Sequence, residues 1–249
     1  NIVIAVPLVI EKIYKTKVKP ILEKEGIKFL MKVPGLDQIV LNKVKTELIN
    51  AFGGEFYEVI IGGAAFNKEV EAFFKRMGFP FTVGYGMTEC APIITYDDWK
   101  EEKLYSCGKA APNMEVRIAS ADPINIPGEI QVKGANVFLG YYKNETATSE
   151  VFTEDGWFRT GDMGVLDADG SLFIKGRTKC MILGPSGQNI YPEEVETVLN
   201  SQPYVVDSLV IEDDGGLTAL IYPDFQQGAK DGMNQKAFAE FIEGTLSEL

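Results

Sequence analysis

The chain has 249 residues, 45% of them hydrophobic, a formal net charge of −12 and no histidine. That length holds one large domain or two small ones with a real core. The acidic balance argues against a basic face tracking a nucleic-acid backbone, and without histidine this chain can hold neither Ser-His-Asp nor Cys-His catalysis, nor a His-based zinc site.

Charge is uneven along the sequence. Residues 1–50 hold nine lysines against five acids; such a face is either solvated or approaches an anionic lipid surface or an acidic cofactor. Cys90, Cys107 and Cys180 show no Cys-x-x-Cys spacing and read as reduced thiols of a cytosolic protein. No secretory signal is visible in this stretch, and no apolar run in it reaches the roughly 20 residues that cross a bilayer. Membrane association is expected to be peripheral at most, at the inner face. The sequence opens on Asn1 inside an apolar run and closes on Leu249 inside a helical pattern, so it reads as a piece of a longer protein.

In chain order, Ile2 to Val6 reads as a strand and Pro7 as a helix start. Leu8 to Glu25 places Ile10, Ile13, Tyr14, Val18, Ile21 and Leu22 near the helical period, and Pro20 bends or restarts that helix. Leu36 to Phe52 is amphipathic, with Ile39, Val40, Val44, Leu48 and Ile49 on one side; Gly53-Gly54 stops it. Tyr57 to Ile61 is a continuous apolar run of the kind buried in parallel sheets. The loop Gly62-Gly63-Ala64-Ala65 follows it, then a helix capped near Asn67 and ended by Gly78, then a strand over Phe79 to Val83. This strand–helix–strand order implies a parallel sheet. Tyr96 to Tyr105 is a charged loop. Beyond it come short strands over Glu115 to Ile118, Gly128 to Lys133 and Ser171 to Ile174, expected to form a small distorted barrel or antiparallel sheet. Asp167, Asp169 and Gly170 read as a β-turn, and Trp99 and Trp157 as packing residues. From Lys175 the pattern changes again: a Gly184-Pro185-Ser186-Gly187 turn, a helix from Pro192, strands over Val205 to Ile211 and Leu217 to Tyr222, and a last helix from about Asn234.

The stretch that draws these elements together is Val83 to Ala91, Val-Gly-Tyr-Gly-Met-Thr-Glu-Cys-Ala. Gly84 and Gly86 let the backbone approach a ligand, Tyr85 offers a flat face, Thr88 a hydroxyl, and Glu89 a carboxylate that suits magnesium. Alone, it reads equally well as an ordinary strand-to-helix turn. Cys90 reads as a small packing residue. Downstream lie Gly156-Trp157-Phe158-Arg159-Thr160-Gly161-Asp162 and Gly176-Arg177-Thr178-Lys179.

In their order and spacing these motifs, with Gly62-Gly63-Ala64, resemble the adenylate-forming superfamily: acyl-CoA synthetases, luciferases and peptide-synthetase adenylation domains. Within it the chain most resembles a long-chain fatty acid–CoA ligase, from about residue 2 to the end. The resemblance implies a mixed α/β fold: a parallel-sheet α/β subdomain to about residue 105, a small distorted β-barrel over 106–177, and an incomplete α+β lid domain over 178–249. It implies that Gly62, Gly63 and Ala64 pack on adenine and that Tyr85, beside Gly86, stacks against it. Thr88 would bond the α-phosphate and Glu89 would bind Mg²⁺. Asp162 and Arg177 would hold the ribose, Lys179 would serve as a hinge, and Ser186 and Gly187 would line a tunnel for the thiol arm of coenzyme A. Cofactors and substrates would be ATP, giving AMP, with Mg²⁺, a fatty acid and coenzyme A; oligomeric state is open. The family's Ser/Thr/Gly-rich phosphate loop and C-terminal catalytic lysine are absent from this sequence, so by itself the chain is not expected to complete adenylation efficiently. Two alternatives stand beside the ligase: an enzyme that loads a carrier protein, and a catalytically dead nucleotide-binding module.

Overall fold

Strand β1 (Ile2–Ala5) leads through Pro7 into helix α1 (Pro7–Ile13). Pro20 has no N–H to give to the turn before it. The chain accommodates this with a wide π turn over Tyr14–Val18, closed by the Lys19 N–H on the Tyr14 carbonyl, before α2 (Lys19–Leu22). The short α3 (Glu25–Leu30) and the long α4 (Leu36–Ala51) follow. In α4 the buried side is Val40, Leu41, Val44 and Leu48. Ile39, expected inside, is exposed, and Leu41 fills that place. Strand β2 (Glu58–Ile61), helix α5 (Lys68–Met77) and strand β3 (Phe81–Val83) complete the first layer. The Asn67 side chain caps α5 by accepting from the Glu69 and Val70 N–H groups at 3.0 and 3.1 Å.

The computed structural model describes residues 1–184, 187–213 and 215–247, which divide into two units, Asn1–Ile174 and Lys175–Leu249. In the first unit β1, β2 and β3 form a parallel sheet in that order, with Ile4 opposite Ile60 and Ile61 opposite Val83. Val59, Ile61 and Phe81 pack with Leu41, Phe74 and Met77 in one apolar core.

After Val83 the chain turns into antiparallel structure. Strands β4 (Tyr85–Gly86), β5 (Ile93–Tyr96) and β6 (Lys109–Ala110) make one small sheet. Strands β7 (Met114–Ala119), β8 (Gly128–Gly134), β9 (Phe158–Leu166) and β10 (Leu172–Arg177) make another in the order β10-β9-β8-β7, with α6 (Glu145–Glu150) between β8 and β9. Tyr85, Cys90, Ile94, Ile130, Phe158 and Leu172 form their shared core. Among the described residues these strands make open sheets and close no barrel. Strand β9, with nine residues, is absent from the sequence reading, because Gly161, Asp162 and Gly164 break the alternation that marks a strand. Asp167 forms the expected turn, its Oδ1 accepting from the Asp169 and Ser171 N–H groups at 2.9 Å.

The second unit carries a short hairpin, β11 (Ile182–Leu183) with β12 (Asn189–Ile190), then α7 (Pro192–Ser201). A long hairpin follows, β13 (Val205–Asp213) with β14 (Gly216–Pro223), and then α8 (Phe225–Lys230) and α9 (Gln235–Ser247). The Glu196 carboxylate on α7 accepts from the Val210 N–H on β13 at 2.8 Å. Helix α8 is short and was not expected from the sequence; Phe225 at its start meets Phe238 of α9 at 5.5 Å between ring centroids. Among the described residues no helix is long and apolar enough to cross a membrane.

Candidate active site

The carboxyl ends of parallel strands are where open α/β sheets gather ligand-binding loops. Here β2 ends at Gly62 and β3 at Gly84, and the two glycines lie against each other: a Cβ on Gly62 would sit 3.0 Å from the Gly84 carbonyl oxygen. The loop beyond, Gly63-Ala64-Ala65, is exposed. From Gly84 the chain delivers Tyr85, whose ring is buried in the second core with 9% of its surface open.

Tyr85 is joined to a motif distant in sequence. Its hydroxyl donates to Asp162 Oδ2 at 2.6 Å. Burial first, and then the Asp162 charge, pushes the Tyr85 phenol well above its usual range, so it remains a donor across the whole working pH range. Asp162 reaches this position through an irregularity in β9. Gln131 pairs with Arg159 and Glu129 with Met163, so Thr160, Gly161 and Asp162 together stand opposite the single residue Ile130. Such bulges re-aim side chains, and this one needs Gly161 at φ +74°. Thr160 pins it: its hydroxyl donates to the Ile130 carbonyl at 2.8 Å and accepts from the Asp162 N–H at 3.1 Å. Asp162 is therefore a bulge residue within a strand.

Gly86 has a different reason from the one its sequence context suggests. A Cβ there would fall 2.1 Å from the Pro92 carbonyl oxygen. The close approach is to the chain's own hairpin rather than to open space. Thr88 and Glu89 follow in a single 3₁₀ turn, Thr88–Cys90, with Thr88 exposed and Glu89 half-buried. Cys90 is fully buried and its thiol is pushed up to about 11, chiefly by burial, which fits a packing role. A segment after β8 braces this turn: Asn136 Nδ2 donates to the Cys90 carbonyl, the Phe138 N–H to the Glu89 carbonyl, and the Tyr141 hydroxyl to Glu89 Oε1. Tyr141 also lines a groove of about 570 Å³ with Leu139, Thr148 and Phe152.

Beneath the site sits a buried acidic pair. Val83 ends β3, the last strand in its sheet, and its N–H has no strand partner; Glu102 Oε1 accepts it at 3.0 Å. Glu102 Oε2 lies 3.6 Å from Lys75 Nζ. Glu71 accepts from the Tyr105 N–H. Both carboxyls are almost fully buried, and burial pushes Glu71 up to about 7 and Glu102 up to about 8. Neither was singled out from the sequence: Glu102 stands in the charged run Asp97-Asp98-Trp99-Lys100-Glu101-Glu102-Lys103 and Glu71 in Lys68-Glu69-Val70-Glu71, where residue type alone does not mark a buried carboxyl.

The second unit holds the remaining sequence candidates. Arg177 and Lys179 are exposed around a turn in which the Cys180 and Met181 N–H groups bond the Arg177 carbonyl. Gly187 follows in the β11–β12 hairpin with φ +80° and open space where a Cβ would stand. Ser186 lies outside the described residues.

The family model for AMP-binding enzymes matches residues 6–142. The chain belongs to the AMP-binding enzyme family. Among its curated relatives, a long-chain-fatty-acid–CoA ligase of Mycobacterium bovis is 34% identical over 206 residues, 82% of this chain and 32% of that protein. A 2-succinylbenzoate–CoA ligase of Bacillus cytotoxicus is 37% identical over 182 residues, 69% of this chain and 37% of that protein. This AMP-binding enzyme chain thus spans about a third of the length of the relatives it matches. Its fold is similar to that of the O-succinylbenzoate coenzyme A synthetase of Bacillus subtilis solved with ATP and a magnesium ion, with TM-score 0.67 and 26% identity over 96% of this chain and 46% of that one. The AMP-binding enzyme motifs recognised in the sequence therefore sit on an adenylate-forming fold, and the matched span includes the Tyr85 to Glu89 stretch and ends just past Tyr141.

Proposed function

We propose that the chain belongs to an ATP-dependent, AMP-forming acid–CoA ligase that activates a fatty acid, of long chain by its resemblance, as an acyl-adenylate. The observation that carries this reading is the 2.6 Å bond from Tyr85 to Asp162, which joins two motifs 77 residues apart beside the carboxyl ends of β2 and β3. The buried Tyr85 phenol donates to one oxygen of Asp162, and a carboxylate, with two acceptor oxygens, is the group that accepts from a pair of sugar hydroxyls. In this reading Asp162 takes the ribose hydroxyls, and Arg177 is a further ribose donor, as the resemblance implies. The exposed Gly63-Ala64 loop borders the adenine, and Tyr85 contributes what remains open of its ring.

Thr88, exposed at the head of its turn, donates to the α-phosphate. The substrate carboxylate attacks that phosphorus, pyrophosphate leaves, and the acyl-adenylate then passes its acyl group to the thiol of coenzyme A, releasing AMP. Catalysis of this kind is largely positioning and charge stabilisation. Magnesium fits Glu89: no cluster of three or more metal-ligating side chains occurs among the described residues, so a hard cation here would take one carboxylate oxygen from Glu89 and the rest from phosphates and water. Bound there, it would neutralise polyphosphate charge. Lys179 acts as the hinge of the second unit, and Gly187, with Ser186, leaves room for the pantetheine arm. Residues 1–177 are in this reading part of the adenylation domain and 178–249 part of the lid.

The test is carboxylate-dependent pyrophosphate release by the intact gene product, scanned from acetate to palmitate and with 2-succinylbenzoate, with and without coenzyme A. Release peaking at long chains with acyl-CoA formed supports the fatty-acid reading, and Asp162→Ala should reduce it at least a hundredfold. A peak with the aromatic acid would shift the substrate toward that named for the Bacillus relatives. Release without consumption of coenzyme A would point to a carrier protein as acceptor. A folded protein releasing none with any acid would leave a nucleotide-binding module.

A further inference from the structure

The segment after β8 does more than brace the turn that carries Thr88 and Glu89. Asn136 Nδ2 donates to the Cys90 and Ile93 carbonyls at 2.6 and 3.0 Å, and the Phe138 N–H donates to the Glu89 carbonyl at 2.8 Å. These bonds fix the backbone of the turn. Tyr141 alone reaches the functional end of a side chain: its hydroxyl is 3.0 Å from Glu89 Oε1.

Tyr141 is itself held from both sides. Its ring meets Phe138 at 4.9 Å in an edge-to-face arrangement, and its N–H donates to the Thr148 hydroxyl on α6 at 2.9 Å. The segment lies so close to α6 that a Cβ on Gly140 would be 2.6 Å from Thr148 Cγ2. The phenol thus comes from a braced support, whereas Glu89 is half-buried on a one-turn helix where nothing else restrains its carboxylate: among the described residues Glu89 Oε2 accepts no hydrogen bond.

We propose that Tyr141 is a positioning residue that fixes the Glu89 carboxylate through Oε1 and so leaves Oε2 presented to a divalent cation carried on a polyphosphate. This rests on the reading of Glu89 as the cation ligand. The chemistry suits that role. A neutral phenol donates one hydrogen bond and brings no charge that would repel or compete for the cation, while an ionised carboxylate has acceptor sites left for a metal. A lysine in the same place would repel the metal. Restraint by a neighbour that touches the ligand rather than the metal lowers the entropy lost when the cation arrives.

The test uses the intact gene product and a non-cleavable ATP analogue, α,β-methylene-ATP, titrated by calorimetry in magnesium and in EDTA. The ratio of the two dissociation constants isolates the contribution of the cation. Tyr141→Phe should lower that ratio about fivefold, the scale of one hydrogen bond to a partly exposed charged group, and leave the EDTA value unchanged. Glu89→Gln should lower it further, and the double variant should match Glu89→Gln alone, since a residue that acts through Glu89 has nothing to act on there. Phe138→Leu loosens the support of the Tyr141 ring without touching the carboxylate; it should lower the melting temperature and lower the ratio by less than Tyr141→Phe does, and a fall as large as that of Tyr141→Phe would mean that packing rather than the hydroxyl sets the ratio, which overturns the proposal. The proposal is overturned if Tyr141→Phe keeps the wild-type ratio, if it weakens binding equally in EDTA, or if its effect persists undiminished in the Glu89→Gln background. A Glu89→Gln variant with the wild-type ratio would instead remove Glu89 as the cation ligand, and the proposal with it.

Discussion

Tyr85 shows how one side chain can serve two parts of the structure. Its ring belongs to the apolar core with Cys90, Ile94 and Phe158, and its hydroxyl belongs to Asp162. Removing only the hydroxyl should therefore separate the two roles. Tyr85→Phe keeps the packing but leaves Asp162 without its 2.6 Å donor. The expected result is about a tenfold loss of AMP affinity by calorimetry, which corresponds to about 1.4 kcal/mol. A hydrogen bond to a charged group is worth about 1.5–3 kcal/mol when well buried, so a loss far below that scale would mean that Asp162 keeps its position without the Tyr85 hydroxyl. The sequence named both residues, yet nothing in it says that they touch. Spacing along a chain does not reveal which strand a bulge will aim at, and the bond exists only because Gly161 takes φ +74°.

The glycines of Tyr-Gly-Met-Thr-Glu are best understood as features of an element. The β4–β5 hairpin folds back so tightly that Gly86 lies against the Pro92 carbonyl, where a Cβ would be 2.1 Å from the oxygen. Gly84 has only ordinary contacts, the nearest being the Thr95 carbonyl oxygen at 3.5 Å from its Cβ position. Gly86→Ala should accordingly cost about 1–3 kcal/mol of stability, the usual range for forcing atoms into a packed site, while Gly84→Ala should change it by less than about 1 kcal/mol. Denaturant midpoints of the two variants measure the difference directly. Equal midpoints would mean that the hairpin yields, and that Gly86 is kept for a ligand after all. At this scale the sequence was readable wherever local chemistry decides: Pro7 opens α1, Asn67 caps α5, and the Pro20 interruption becomes a π turn. It was unreadable at β9, where the glycines that make the bulge also erase the period-2 pattern.

Across the whole molecule, composition and burial combine into a pH dependence. There is no histidine in the chain, so a change in stability near neutral pH has no imidazole to explain it. Glu71 and Glu102 supply one instead. Unfolded, they release protons near the ordinary glutamate value of 4.5; folded, burial holds those protons until about 7 and about 8. Between those values the folded chain binds more protons than the unfolded chain, so the unfolding free energy should fall as pH rises from about 5 to about 8, by up to about 1.4 kcal/mol per pH unit for each group. Above about pH 8 the contribution is level. Glu102→Gln, which keeps an acceptor for the Val83 N–H, should flatten the fall, and equilibrium unfolding across that pH range checks it. A wild type equally stable at pH 5.5 and 8 would show that Lys75 keeps both carboxyls ionised. By itself the sequence determined the motifs, the parallel α/β start, the antiparallel middle and the family, because these rest on short-range propensity, hydrophobic period and residue types at fixed spacing. Only the tertiary structure decided that Tyr85 holds Asp162, that Tyr141 meets Glu89, and that one carboxyl of a charged loop is buried under the strand end. Each of these depends on segments far apart in sequence being brought within hydrogen-bond range, and on the desolvation that follows, neither of which a local pattern encodes.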